Sequence, residues 1–171
     1  HRHYRRQRQM CIRDSLLNRT TSMSRKWFDN KVPINNEITS ESKLECLAKT
    51  SVENYINKFN TYKLDQAANE VLNLAINTNL YLNENQPWLL IKENDKLPVV
   101  KEIIYNVLES TRIIGLLLLP LLPELSSKIN LQLGSMYQKD VSWEQQLKWG
   151  LLISNINLPI PSPIINKLEY E

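Results

Sequence analysis

Between Leu64 and Ala75 the apolar residues Leu64, Ala67, Ala68, Val71, Leu72 and Ala75 recur at intervals of three and four. In a strand that spacing scatters side chains over both faces. In a helix of about 3.6 residues per turn it gathers them on one side. The segment can therefore bury its apolar atoms only as a helix. Thr61 is placed to cap it, and Asp65 in its first turn complements the helix dipole. The same period governs most of the chain. Glu41–Phe59 aligns Leu44, Leu47, Ala48, Val52, Tyr55, Ile56 and Phe59 on one face. A long helix from about Leu97 to Leu119 turns Val100, Ile103, Ile104, Val107, Thr111, Ile114 and Leu118 inward. Leu16–Asn30 has a looser stripe of Leu16, Leu17, Met23 and Trp27. It is stopped by Pro33, and Ile34–Ser40 reads as a loop.

The interruptions are as informative as the helices. Asn83–Pro87 breaks the periodic pattern, and Trp88–Lys92 reads as a short helical turn with Pro87 at its first position. Pro120 must end or kink the long helix. Pro123 and Glu124 suit the start of another helix to Leu133, with Gly134 as a left-handed cap. From Val141 onward, Trp143, Trp149, Leu151, Leu152 and Ile153 are expected to be apolar anchors, while Pro159, Pro161 and Pro163 exclude regular helix. An extended segment packed back onto the helices follows. The predicted fold is all-α: an antiparallel bundle of four to five helices with an extended C-terminal tail.

Residues 1–15 (HRHYRRQRQMCIRDS) do not share this patterning. They hold both histidines, one of the two cysteines and five arginines opposed only by Asp14. The run MCIRDS reads as one translated frame of a common sequencing-library adapter. The stretch is set apart as a non-native or disordered arm, leaving 16–171 as the folded domain. Without it, Lys plus Arg falls from 21 to 16 and Asp plus Glu from 18 to 17, so the domain's net charge is −1. Overall basicity is then no argument for nucleic acid, and any such function must rest on a local patch. Cys46 becomes the single thiol. Set among Leu44, Leu47 and Ala48, it is expected to be a small buried hydrophobe, and with no disulfide possible within the domain a reducing cytoplasm is expected. The run Ile113–Leu122 (IIGLLLLPLL) is too short to span a bilayer and is broken by proline, so no membrane role is expected.

Catalytic chemistry is sparse. Outside the arm there is no histidine, which removes the commonest general base and metal ligand. One cysteine cannot build a zinc site. Gly115, Gly134 and Gly150 are too scattered to form a phosphate-binding loop. Glu41, Glu45 and Glu53 are expected on exposed helix faces. No catalytic or metal-binding residue is assigned, and no cofactor is expected here.

Binding chemistry is present in two places. Asn18, Ser22, Arg25, Lys26 and Asp29 share one face of the first helix, where amide, hydroxyl and guanidinium groups can bond base edges and phosphates or simply face water. Trp88 follows Pro87 at a helix break among Asn83, Glu84, Asn85 and Gln86. Its ring can cap the core, or it can offer a stacking surface to an unpaired base.

Several segments resemble the anticodon-binding domain of bacterial methionyl-tRNA synthetases. LLNRTTSMSRKWFDNKVP (Leu16–Pro33) looks like that domain's opening. ANEVLNLAINTNLYLNENQPWLLIKEND (Ala68–Asp95) resembles the family's helix ending in a proline–tryptophan pair. LLLPLLPELSSKINLQLG, LKWGLL and LPIPSPIINKLE resemble its two-proline stretch and C-terminus. The resemblance implies that Trp88 stacks on an anticodon base with Pro87 supporting it. It implies that Ser22 and Lys26 stand where some members carry a base-reading asparagine and an arginine; both are departures, for which Arg25 is a candidate substitute. Asn18 belongs to the same face. Ser22–Lys26 (SMSRK) is similar to the ATP-phosphate loop of class I synthetases, but it lacks the leading lysine and lies in a helical pattern, so it is not assigned to nucleotide.

The resemblance thus implies recognition of the CAU anticodon loop of methionine tRNA. Its partner would be the catalytic domain of the same parent chain, a methionine–tRNA ligase that uses ATP. This chain alone would not activate methionine. Two other readings stay open: a helical protein–protein interaction module with an apolar groove along Leu117–Leu133, and the anticodon domain of a sister class I synthetase. Because the arm lacks apolar periodicity, deleting residues 1–15 is expected to leave the thermal midpoint unchanged; a fall of several degrees in a melting curve would show that the arm is part of the fold.

Overall fold

A computed structural model describes residues 16–33, 41–135 and 137–159. The arm 1–15, the predicted loop 34–40 and the prolines at 161 and 163 lie outside the described residues. The chain forms helix α1 (residues 16–27), α2 (Lys43–Asn60), α3 (Leu64–Asn85), a short α4 (Pro87–Leu90), a 3-10 turn (Asn94–Lys96), α5 (Leu97–Leu118), α6 (Pro123–Gln132) and a short α7 (Trp143–Gln146). Among the described residues the only β pairing is an isolated antiparallel bridge between Lys31 and Asn157. The domain is all-α, as the periodicity requires.

Helix ends follow local chemistry, with two departures. Ser42 caps α2 by accepting the Glu45 N–H, so the helix begins two residues later than expected. Thr61 does not cap α3. It closes α2, its hydroxyl donating to the Asn57 and Lys58 carbonyls, and α3 starts after Lys63 without a side-chain cap. A threonine between two helices can serve either neighbour, and here its hydroxyl is taken by the α2 carbonyls. Gly134 takes φ +63 after α6, with its N–H bonded to the Leu131 carbonyl and the Ser135 N–H to Asn130, the paired closure of a Schellman turn.

The expected break at Asn83–Pro87 narrows to one residue. α3 runs on to Asn85; Gln86 alone turns left-handed (φ 43, ψ 56), and α4 begins at Pro87. Pro87 fits there because its ring fixes φ and a first-turn N–H is not needed.

α5 is the axis of the bundle. α3, α2, α6 and α4 all pack on it. Every residue from 103 to 118 is buried, so the predicted inward stripe is correct and incomplete. A helix wrapped on all sides has no solvent face. Close approach to α6 depends on Gly115: a Cβ there would sit 3.0 Å from Asn130 Oδ1 and Ile129 Cγ2. Contact with α3 includes a buried Thr78–Ser110 hydroxyl pair at 2.7 Å. Leu117, Leu118, Ile129 and Leu133 are buried in the bundle, and along the expected apolar groove Leu122 and Leu131 are exposed and Leu119, Leu121 and Leu125 half-buried.

Burying α5 on all sides from residue 103 to 118 also buries Glu109 and Arg112, 0% and 3% exposed, and the tail satisfies them. The two side chains form a bidentate pair (Nη2–Oε1 2.7 Å, Nε–Oε2 2.9 Å). Glu109 accepts the backbone N–H groups of Gly150, Leu151 and Leu152 at 2.7, 3.1 and 3.0 Å. Arg112 donates to the carbonyls of Gln146 and Lys148 at 2.6 and 2.7 Å. Leu152 and Leu158 are buried, and Trp143 packs against Tyr55 (centroids 5.9 Å) and donates to the Leu116 carbonyl. Leu151 and Ile153 are not anchors: they are 50% and 68% exposed, because clamping the backbone at 150–152 turns alternate side chains outward. The tail also contains a helical turn, α7, which the sequence reading missed.

Cys46 corrects another expectation. It is exposed on α2, and its thiol is pushed up above the usual range, chiefly by a hydrogen bond to Glu41. Leu44 and Ala48 are buried; position 46 lies between them in sequence but about 200° round the helix from 44.

Glu109 holds both a buried cation and three backbone donors. Glu109→Gln presents an amide N–H to groups that are themselves donors and leaves Arg112 uncompensated, so urea unfolding at neutral pH is expected to show a loss of about 3–5 kcal/mol. A loss below about 1 kcal/mol would mean that the tail is held by apolar contacts alone.

Candidate nucleic-acid interface

α1 is held to the bundle by one side and leaves the other to solvent. Leu16, Leu17, Thr20, Thr21 and Ser24 are buried. Burial of the two threonines is possible because each hydroxyl donates back to a carbonyl four residues earlier, Leu16 and Leu17, at 2.8 Å. The Ser24 hydroxyl donates to the Lys31 carbonyl at 2.9 Å and fixes the turn that ends the helix. Ser22, Arg25 and Lys26 are exposed on the opposite side, and Asn18 is half-buried. Asp29, expected on this face, lies past the end of α1 at φ +50 and does not share it. Arg25 Nε reaches Asn30 Oδ1 at 3.3 Å. Two cations, a hydroxyl and an amide therefore line one exposed face.

The second part of the site is the α3–α4 corner. Pro87 is buried, whereas Trp88 is 36% exposed and its neighbour Leu89 is 48% exposed. By contrast Trp143 and Trp149 pack against the core cluster. Of the two uses open to Trp88, a presented ring fits this geometry better than a core cap. Gln86 fixes the corner from both directions: its N–H donates to the Leu82 carbonyl at 3.3 Å, and its carbonyl accepts from Leu89 and Leu90 at 2.9 and 3.4 Å.

A side-chain bond joins the two parts. Arg19 on α1 donates to Asn83 Oδ1 in the last turn of α3 at 3.0 Å, with both groups exposed. Among the described residues Trp88 itself makes no hydrogen bond to α1; the link runs through Arg19, Asn83 and the corner. Arg19 was passed over in the sequence because it sits one position off the Asn18–Ser22–Lys26 stripe. Its place beside Asn18 in the NRT run was the available signal.

A helical bundle with a tryptophan exposed at a helix corner and a cationic helix face, joined by the Arg19–Asn83 bond, is the geometry that a comparison with known proteins places in a family. The chain belongs to the family described as the anticodon binding domain of methionyl tRNA ligase, whose model matches residues 32–170. It is 31% identical over 167 residues to the methionine–tRNA ligase of Synechocystis, covering 91% of this chain and 31% of that protein. It is 33% identical over 162 residues to that of Thermosynechococcus vestitus, covering 90% and 30%. Its fold is similar to that of the apo methionyl-tRNA synthetase of Mycobacterium tuberculosis, with a TM-score of 0.76 at 22% identity, over 92% of this chain and 32% of that one. The chain thus spans under a third of the curated relatives named here.

Proposed function

We propose that this domain recognises the CAU anticodon loop of methionine tRNA, with Trp88 on its buried Pro87 support stacking on an anticodon base. Asn18, Ser22, Arg25 and Lys26 contact neighbouring bases and phosphates. The parent protein would be a methionine–tRNA ligase working in the cytoplasm, its ATP-dependent chemistry carried out by a catalytic domain of the same chain. The observation that carries the reading is the exposed Trp88 ring at a rigid helix junction in a chain of this family. Loop bases of RNA can be splayed out, stacked on an aromatic ring and bonded along their edges, which a paired stem does not allow. The interaction-module alternative draws less support, since Leu117, Leu118, Ile129 and Leu133 of its groove are buried in the bundle.

Binding to a methionine anticodon stem-loop, against one with a changed anticodon, tests the proposal. Trp88→Ala is expected to lose a stack worth about 1–3 kcal/mol, about one to two decades in affinity. Arg25→Ala and Lys26→Ala should each weaken binding and lower the salt slope by about one. Trp143→Ala should instead damage the fold, seen by circular dichroism. Unchanged binding by a folded Trp88→Ala variant would make Trp88 a packing residue and the site wrong. The chain by itself is expected to show no methionine-dependent ATP–pyrophosphate exchange, and measurable exchange would contradict the division of labour proposed here.

A further inference from the structure

Gln86 is unexplained by packing. Its backbone is left-handed, a conformation that glycine and asparagine adopt more readily than glutamine. It stands between two helices, where an amide could cap either, yet its side chain makes no cap bond to α4 and no hydrogen bond to any other described residue. The side chain is exposed, two positions ahead of the exposed Trp88 ring, on a backbone held by Leu82 on one side and by Leu89 and Leu90 on the other. Pro87 between them fixes φ and is buried. A carboxamide thus stands exposed on the same hydrogen-bonded corner as the Trp88 ring, two positions ahead of it, with its donor and acceptor both open. Base edges present adjoining donors and acceptors that a carboxamide can meet with two bonds.

We propose that Gln86 is a second base-reading residue at this corner, its carboxamide hydrogen-bonding the edge of the base that stacks on Trp88. The inference rests on the stacking role given to Trp88 above. Gln86→Gly is the informative variant, since glycine keeps the left-handed turn and removes the side chain that carries the amide. Gln86→Asn, which tolerates the same backbone, shortens the amide by one methylene and guards against an unforeseen effect of glycine. Thermal unfolding confirms that each variant is folded. The parent and the variants are titrated with the CAU stem-loop and with three stem-loops, each replacing one anticodon nucleotide by an abasic site.

Gln86→Gly is expected to weaken binding of the CAU loop about three- to tenfold. The loss should vanish on the one loop whose missing base also abolishes the effect of Trp88→Ala, because two deletions of one contact do not add. Gln86→Asn should fall between parent and Gln86→Gly. If Trp88→Ala weakens binding while Gln86→Gly matches the parent, or loses the same factor on all four loops, Gln86 shapes the backbone only and this inference fails alone. If the parent has no preference for the CAU loop, the proposed function fails and the inference falls with it.

Discussion

The Glu109–Arg112 pair in the middle of α5 is the constraint from which much of the remaining architecture follows. A helix buried on every side cannot carry two opposite charges unless they meet each other and their leftover hydrogen-bonding capacity is filled. Here the two side chains meet directly, and the backbone of residues 146–152 fills the remaining capacity. The pair therefore does more than neutralise itself. It turns residues 146–152, a segment with no helical periodicity, into a fixed layer of the domain. The Gln146 side chain extends the same logic, bonding Gln138 and Val141 and closing the loop that leads into α7.

The consequences reach the exposed face of α1. Past the clamp, the tail runs antiparallel to the end of α1: Val32 N–H bonds to the Ile156 carbonyl, Asn155 N–H to Val32, and Leu158 N–H to Asn30. Asn30 Nδ2 also donates to the Leu158 carbonyl. One end of α1 is thereby tied through the tail to the centre of α5, while Arg19 ties the helix to α3. The exposed face bearing Ser22, Arg25 and Lys26 is braced on both sides. A face that does not need to be ordered on contact loses less free energy on binding.

The corner at Gln86 supplies the other half of that preorganisation. One strained residue lets α3 stop and α4 start without an intervening loop, so the tryptophan stands on a short helix rather than on a flexible connection. Strain of this kind persists only where its surroundings over-determine it, and it concentrates at functional sites. The local cations also resolve an apparent conflict with composition: a domain of net charge −1 can still present positive charge where Arg19, Arg25 and Lys26 project from one helix.

The periodic spacing of apolar residues determined the number and extent of the long helices, because the helical period gathers those residues on one face whatever their partners. Proline and glycine chemistry located Pro87, Pro120, Pro123 and Gly134 as boundaries. The NRT and proline–tryptophan runs pointed to the family. Tertiary structure decided the rest. It settled which helix Thr61 serves, that Cys46 faces water, and that Leu151 and Ile153 are exposed while Leu152 is held. It also decided that Glu109 and Arg112 are buried and that Arg19 meets Asn83. These outcomes depend on which surfaces face one another across long sequence separations. A glutamate and an arginine three residues apart look the same on a solvated helix as on a buried one, and only the packing around α5 tells them apart.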